Sequence, residues 1–417
     1  MGTNRPEMKR IALFFLPALL LGLSARAADF PQVFHYDTSK PQAHFTLSVP
    51  VPDGNYLVTL ELGSRKFAAR TFVKAESRRL CVNDLATAKG ETRTVRFVVN
   101  KRDRTIREGG EAVAEVITKP RERFKLDWDD DLTLEFDGDA PAVASVRIEP
   151  APAGVTTVFL CGDSTVVDQD TEPWASWGQM FPGFFDEHVA IANYGESGER
   201  ADTFIGAGRL RKILSVLQPG DYVFVEFGHN DQKLSGPGKS GHYFFALQLK
   251  IFIDEIRAKG GIPVLVSPTH RRNFDADGRI IETHADYPEA MEEVARREDV
   301  IFLDLHRMSA VFYEAMGPEG SKRAFVHYKA GSFEGMPRDV EDNTHFNTYG
   351  AYELAKCMVT AVQAKGLPLA EHVVNFSGFS PAAPDAPDSF RWPLSPYIDT
   401  YGIQLLEKDD KAGQINK

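Results

Sequence analysis

Cysteine is scarce in this chain: Cys81, Cys161 and Cys357 are the only three in 417 residues. An odd count cannot pair completely within one chain, which excludes a fully disulfide-stapled scaffold. No cysteine or histidine spacing builds a metal site, so the sequence implies no metal and no cofactor. An excess of positive charge is also missing. The formal net charge is −11, which disfavours a general binder of nucleic acid or anionic lipid while leaving room for a local basic patch. No apolar run reaches the length of a membrane span, and no internal repeat is visible. What is present is ordinary for a folded protein, 43% hydrophobic and 26% charged residues, with length enough for two domains.

Arg5, Lys9 and Arg10 precede an almost wholly apolar stretch from Ile11 to Leu23, and Ala25-Arg26-Ala27 has the small-x-small pattern of a cleavage site. The reading is a signal peptide over 1–27, removed on export to the periplasm or the medium. No cysteine near the cut offers a lipid attachment point, so no membrane anchor is expected.

After the signal, residues 28–150 read as all-β. Tyr56 to Leu62 alternates as a half-buried strand should, behind the turn dipeptide Asp53-Gly54. Thr94–Val99, Asp131–Phe136 and Ala142–Ile148 are further strands, and the expected unit is a sandwich or jelly roll. Pro150 to Gly154 then reads as a linker. From 155 to 370 the pattern alternates. Apolar runs at Thr157–Cys161, Val189–Asn193, Tyr222–Phe227, Ile262–Val266 and Val300–Leu305 are separated by helical spacing at Phe204–Leu217, Tyr243–Lys259 and Ala285–Arg297. That predicts a parallel sheet covered on both faces. Residues 371–417 form a Pro-rich tail in which Pro381 to Pro387 excludes regular structure.

In such sheets ligands sit beyond the carboxyl ends of the strands. Ser164, in Gly162-Asp163-Ser164, follows the first strand; Asn230, in Gly228-His229-Asn230-Asp231, follows the third; Asp342-Asn343-Thr344-His345 lies far downstream. The order Ser, Asp, His supplies a nucleophile, a base and a residue that orients the base, which is the equipment of acyl transfer. The Asp342 to His345 interval lets both side chains project from one loop or first helical turn. Cys161 is expected to be a buried core thiol.

These blocks, with Asn193 to Arg200 between them, resemble the four blocks of the SGNH or GDSL hydrolases. Gly162 to Val166, Trp174 to Gly178 and Asp342 to Phe346 are most similar to the rhamnogalacturonan acetylesterases of carbohydrate esterase family 12. The resemblance implies a flavodoxin-like three-layer α/β/α catalytic domain preceded by a smaller, galactose-binding-like β-sandwich domain. It implies a serine esterase acting on acetylated pectic polysaccharide or oligosaccharide. Carried over residue by residue, Ser164 is the nucleophile, His345 the base and Asp342 its orienter. The oxyanion hole is Ser164 N–H, Gly198 N–H and the Asn230 amide. The chain has Glu199 and Arg200 after Gly198 where the family has Arg-Ser, so Gly195 is the alternative register.

The bland readings differ. Asp342 could cap the helix near Asn347, Asn230 could be a turn residue, and Asp163 is expected to fix its loop. Trp174 and Trp177 could stack on sugar or belong to the core. Arg271 and Arg272 could bind galacturonate carboxylates, with Arg200 completing a basic rim that offsets the negative field, or could be solvated. His284 and His327 read as surface or structural histidines. Two competing functions stay open: an esterase for another acylated glycan or small esters, and a glycan-binding protein with an inactive hydrolase half.

Overall fold

The computed structural model describes residues 29–396; the expected signal segment and the last part of the tail lie outside the described residues. Five parallel strands, Thr156–Cys161, Val189–Asn193, Tyr222–Val225, Ile262–Val266 and Ile301–Leu303, form the centre. Numbered along the chain, they stand in the spatial order 2-1-3-4-5. Alternation along each strand splits the core in two. Val158, Leu160, Phe224 and Val264 face the helices Leu305–Gly320 and Thr348–Ala364 through Phe312, Leu354 and Met358. Phe159, Cys161, Val223, Val225 and Leu265 face Arg209–Val216, Ala246–Ala258 and Tyr287–Arg297 through Ile213, Phe252 and Met291. Helices on both faces of a parallel sheet give three layers, as the alternating pattern predicts. All three cysteines are free and buried.

Two elements depart from expectation for identifiable reasons. The single helix expected over Phe204–Leu217 is two, Ala201–Gly206 and Arg209–Val216, because Gly208 sits at φ +78 between them. The last parallel strand stops at Leu303, because the Asp304 side chain accepts the Arg307 N–H and starts a helix there.

The expected linker is not a break in hydrogen bonding. The strand Arg93–Lys101 pairs in parallel with Val189–Asn193, at Val98↔Ala190 and Val99↔Ile191. Gly54–Leu62, Val143–Pro150 and Gln32–His35 continue from it antiparallel, so one sheet holds nine strands. A second sheet of Phe45–Pro50, Asp131–Asp137, Ala69–Ala75 and Arg79–Thr87 lies over this extension. Their shared core includes Val58, Leu60, Phe97 and Val146 from the first sheet and Val73, Leu132, Leu134 and Phe136 from the second.

Buried ion pairs cross between the two regions. Arg79 donates to Asp168 at 2.9 Å, Lys125 to Glu196 at 3.1 Å, and Arg209 to both oxygens of Glu122 at 2.6 Å. The described part of the tail wraps the surface. Phe376, Phe379, Phe390 and Trp392 pack on the core, and Lys74 donates to Pro393 O and Ser395 Oγ.

Candidate active site

Gly162 ends the first parallel strand where no Cβ fits: one would lie 2.4 Å from Val166 Cγ2 and 3.0 Å from Glu226 O. The chain therefore turns sharply there. Asp163 fixes the turn, its Oδ1 accepting from Thr165 N and Thr165 Oγ1, both at 3.0 Å. This matches the loop-fixing reading of Asp163. Ser164 is left at the carboxyl edge of the sheet, 7% exposed.

Asp342 and His345 arrive on the strand Val340–Phe346, which pairs with Phe325–Tyr328. Register jumps from Val326↔Asp342 to Phe325↔Phe346, so Asn343, Thr344 and His345 bulge out of the ladder. A bulged strand thus replaces the expected loop or helical turn. Asp342 Oδ1 accepts the backbone N–H groups of Thr344 at 2.7 Å and His345 at 3.0 Å, while Oδ2 faces His345 Nδ1 at 2.6 Å. His345 Nε2 then lies 2.9 Å from Ser164 Oγ. Partial burial works to raise the Asp342 pKa, but the bond and charge of His345 and the two backbone amides outweigh it and hold the carboxyl below its usual range. Asp342 does not cap the following helix; Asn347 does, accepting from Gly350 N.

Donors converge on the same edge. The N–H groups of Ser164 and Gly198 have no hydrogen-bond partner among the described residues. Gly195 N–H is spent on Asn193 Oδ1 at 3.1 Å, which favours the Gly198 register. The Ser197 carbonyl accepts Lys119 Nζ at 2.6 Å and Arg121 Nη2 at 2.5 Å. In a trans peptide, C=O and N–H point oppositely, so this grip turns the Gly198 N–H away from both cations. Glu196 anchors Arg121 at 2.5 Å, and Glu199 pairs with Lys119 at 2.7 Å. Burial opposes the charge of Glu196, but Lys125, Arg121 and Lys119 prevail and hold its carboxyl below the usual range. Sequence inspection missed Lys119 and Arg121, because they come from a 3-10 turn some 75 residues upstream of the carbonyl they hold. Asn230 Nδ2 donates to Asp163 Oδ2 at 3.1 Å and Glu199 O at 3.0 Å, and its Oδ1 accepts Lys233 Nζ at 2.7 Å.

Residues 160–351 match the GDSL-like Lipase/Acylhydrolase family. The chain is 42% identical to rhamnogalacturonan acetylesterase RhgT of Bacillus subtilis (strain 168) over 223 residues, 53% of this chain and 95% of that one. It belongs to the GDSL-like lipase/acylhydrolase family. A second relative from the same strain, the probable rhamnogalacturonan acetylesterase YesY, is 32% identical across 52% of this chain and 97% of its own length. The solved structure of YxiM from Bacillus subtilis is 25% identical and covers 80% of this chain and 83% of that one, with a TM-score of 0.46. The family match and the two acetylesterase relatives make the chain a carboxylic ester hydrolase.

Other expected contacts of this esterase separate cleanly. Arg271 is half-buried beside the site, donating to His229 O at 3.1 Å and Thr283 O at 3.2 Å. Arg272 is 8% exposed and is committed inside the protein. It donates to Ser321 Oγ, to Asn343 Oδ1 at 2.7 Å and to Pro318 O, so it supports the bulge that carries His345 rather than facing solvent. Arg200 is paired with Asp202 at 2.8 Å. Trp177 is 1% exposed and belongs to the core, which removes it from any sugar platform; Trp174 is half-buried.

Beneath the serine loop of the esterase lies Glu226. Burial, then the charge of Asp163, pushes its pKa up to about 8 against the bonds from Trp177 and Thr165. Thr165 Oγ1 touches both Asp163 Oδ1 at 3.0 Å and Glu226 Oε1 at 2.9 Å but has one hydrogen. A protonated Glu226 resolves this, donating to Thr165, which donates to Asp163. The folded state then holds a proton that the unfolded chain releases above about pH 4.3. Stability attributable to Glu226 falls as pH rises from about 4.3 to 8, by at most about 1.4 kcal/mol per pH unit. Glu226→Gln donates and accepts in the same places. We expect its denaturant midpoint to drop less than that of wild type between pH 5 and pH 8. Equal drops would show Glu226 ionised in the folded protein.

Proposed function

We propose that this protein is an exported serine acetylesterase that deacetylates pectic polysaccharide of the rhamnogalacturonan type through an acyl-enzyme. The observation that carries the reading is the aligned run Ser164 Oγ, His345 Nε2, His345 Nδ1, Asp342 Oδ2, with gaps of 2.9 and 2.6 Å. The acetyl and pectic parts rest on the relatives named as rhamnogalacturonan acetylesterases. The segment 1–27 is read as the export signal and 28–150 as a galactose-binding-like β-sandwich that braces the catalytic part, 155–370, with 371–417 as a Pro-rich C-terminal tail.

Ser164 Oγ attacks the ester carbonyl as His345 Nε2 takes its proton. Asp342 holds Nδ1–H and balances the imidazolium charge. The carbonyl oxygen, now an anion, is met by Ser164 N–H, Gly198 N–H and Asn230, each donor contributing about 3 kcal/mol to lowering the barrier. Asn230 reaches it by exchanging its bond to Glu199 O. Lys119 and Arg121 are positioning residues, fixing and polarising the Ser197–Gly198 peptide. His345 returns the proton to the departing sugar hydroxyl, and water repeats the cycle on the acyl-serine. Arg271 is the residue proposed to meet a galacturonate carboxylate.

The test is acetate release by the full chain from acetylated rhamnogalacturonan, acetylated xylan and p-nitrophenyl acetate. We expect kcat/KM on rhamnogalacturonan to exceed that on xylan by at least tenfold. Equal values, or turnover of the small ester alone, would move the function to another acylated glycan or to small acyl esters.

A further inference from the structure

The reaction above leaves a second group of polar side chains unused at the same edge of the sheet. His270, Glu282 and His284 lie on the connection between the strand Ile262–Val266 and the helix Tyr287–Arg297, and His306 opens the helix Leu305–Gly320. One ligand atom from each lies within 4.8 Å of all the others. His306 Nδ1 stands 2.7 Å from the Pro268 carbonyl, which only accepts, so Nδ1 carries the hydrogen. Nε2 then lies 2.7 Å from Glu282 Oε2. At that distance a positive centre, a proton or a metal ion, must stand between the nitrogen and the carboxylate oxygen.

The other two rings face the same carboxylate. His284 Nε2 shares a hydrogen with His229 Nδ1 at 2.9 Å, and His229 Nε2 meets Thr269 Oγ1 at 3.2 Å. A hydrogen on each Nε2 satisfies that chain and leaves the His284 Nδ1 lone pair toward Glu282 Oε1, 3.5 Å away, with Thr283 Oγ1 at the same distance. His270 stacks on His306 with centroids 3.5 Å apart. It is 8% exposed, its Nδ1 has no hydrogen-bond partner, and its Nε2 lies 4.0 Å from Glu282 Oε2. Three imidazoles crowded around one carboxylate, one of them orphaned, are poorly explained as packing alone.

We infer that His270, Glu282, His284 and His306 bind one divalent transition-metal ion of the zinc class. Three imidazole nitrogens and a carboxylate suit zinc; calcium and magnesium prefer all-oxygen shells. Tetrahedral bonds of ~2.0–2.1 Å set ligand atoms roughly 3.3 Å apart, so the present separations, from 2.7 Å up to 4.8 Å, change by about 1.5 Å at most. The outer partners needed to orient ligating histidines are in place, Pro268 O for His306 and His229 for His284. The ion is not part of the ester chemistry. It ties the connection after Val266 to the start of the helix Leu305–Gly320, and the residue beside His270 is Arg271, whose bonds go to His229 O and Thr283 O, the hydrogen-bond partner and the chain neighbour of His284. The site is thus a brace beneath the substrate edge, and its metal binding does not depend on which ester is cleaved.

No motif marks the cluster in the sequence, because among the ligands only Glu282 and His284 are near neighbours in the chain. The proposal departs from the sequence-based expectation of no metal site and of His284 as a surface or structural histidine.

The test uses the full chain stripped with EDTA. Zinc is titrated by calorimetry, Tm is measured with and without it, and cobalt(II) is read by its visible absorption. We expect one zinc per chain, a Tm higher by several degrees with metal, and the intense d–d bands of tetrahedral cobalt. Glu282→Gln, at a residue whose side chain is 46% exposed, should fold and bind zinc at least 100-fold more weakly, as should His306→Ala. His188→Ala, in the separate Asp186, His188 and His372 group, should bind as wild type does. If wild type takes up no stoichiometric zinc or cobalt, or if Glu282→Gln and His306→Ala bind as tightly as wild type, the inference is wrong.

Discussion

Ser164→Ala is expected to lower kcat/KM for p-nitrophenyl acetate and for acetylated glycan by about 10⁵–10⁶-fold, the scale of losing a nucleophile that acts as a unit with its base. The hydroxyl is the only reacting atom removed. Its partner, His345, has a side chain 31% exposed and keeps its bond to Asp342, so no buried polar group is left stranded and Tm should move by little. The donors at Gly198 and Asn230 are untouched, so substrate binding and a residual rate above water should remain. A variant that kept more than a tenth of wild-type activity would remove Ser164 from the chemistry. A variant that lost activity together with its Tm would instead point to a structural role for the Ser164 turn.

Asp342→Asn is expected to lower kcat about 10⁴-fold with KM little changed. The reason lies in the two oxygens. Oδ1 accepts two backbone N–H groups, from Thr344 and His345, at 2.7 and 3.0 Å. An asparagine keeps both bonds only by placing its carbonyl oxygen there. Its NH₂ then occupies the Oδ2 position, 2.6 Å from His345 Nδ1. Two donors cannot face each other, so the imidazole moves its hydrogen to Nε2. That hydrogen points at Ser164 Oγ, and the ring can no longer take the serine proton. Fold and backbone geometry are preserved, which separates this loss from unfolding. A kcat within tenfold of wild type would show that His345 finds its tautomer without Asp342.

The catalytic half was the more legible part of the sequence. Val189–Asn193 and Ile262–Val266 are strands over the very residues the apolar runs mark, because a strand buried on both faces must be continuously apolar. The strands Ala69–Ala75 and Arg79–Thr87 went unread. Lys74 and Arg79 break their apolar pattern, yet both are buried, and their partners Glu135 and Asp168 are 61 and 89 residues away. Local pattern cannot foresee a distant counter-charge. Leu305–Gly320 was missed at the boundary where Asp304 turns from strand end to helix cap. At the site, Ser164, Asn230, Asp342 and His345 were visible because motif spacing survives in sequence. Lys119, Arg121, Glu226 and the histidine cluster were invisible because each acts only through residues the fold brings near. Arg272 shows the opposite error: a loop arginine that reads as solvent-facing is sequestered by Asn343 and Pro318.

The sheet shared across residues 93–101 and 189–193 has a consequence for the order in which the enzyme becomes active. The strands that precede residue 155 leave the ribosome first, and they supply the edge on which Val189–Asn193 is laid down. The same region carries Arg79 and Lys125, the counter-charges of the buried Asp168 and Glu196. Left without those partners, each acid would cost several kcal/mol where it now stands. Glu196 holds Arg121, one of the two cations that grip the Ser197 carbonyl. The gripped Ser197–Gly198 peptide, the proposed oxyanion donor, is therefore expected to form only once the two parts have assembled, and a chain interrupted before then has its serine without that grip.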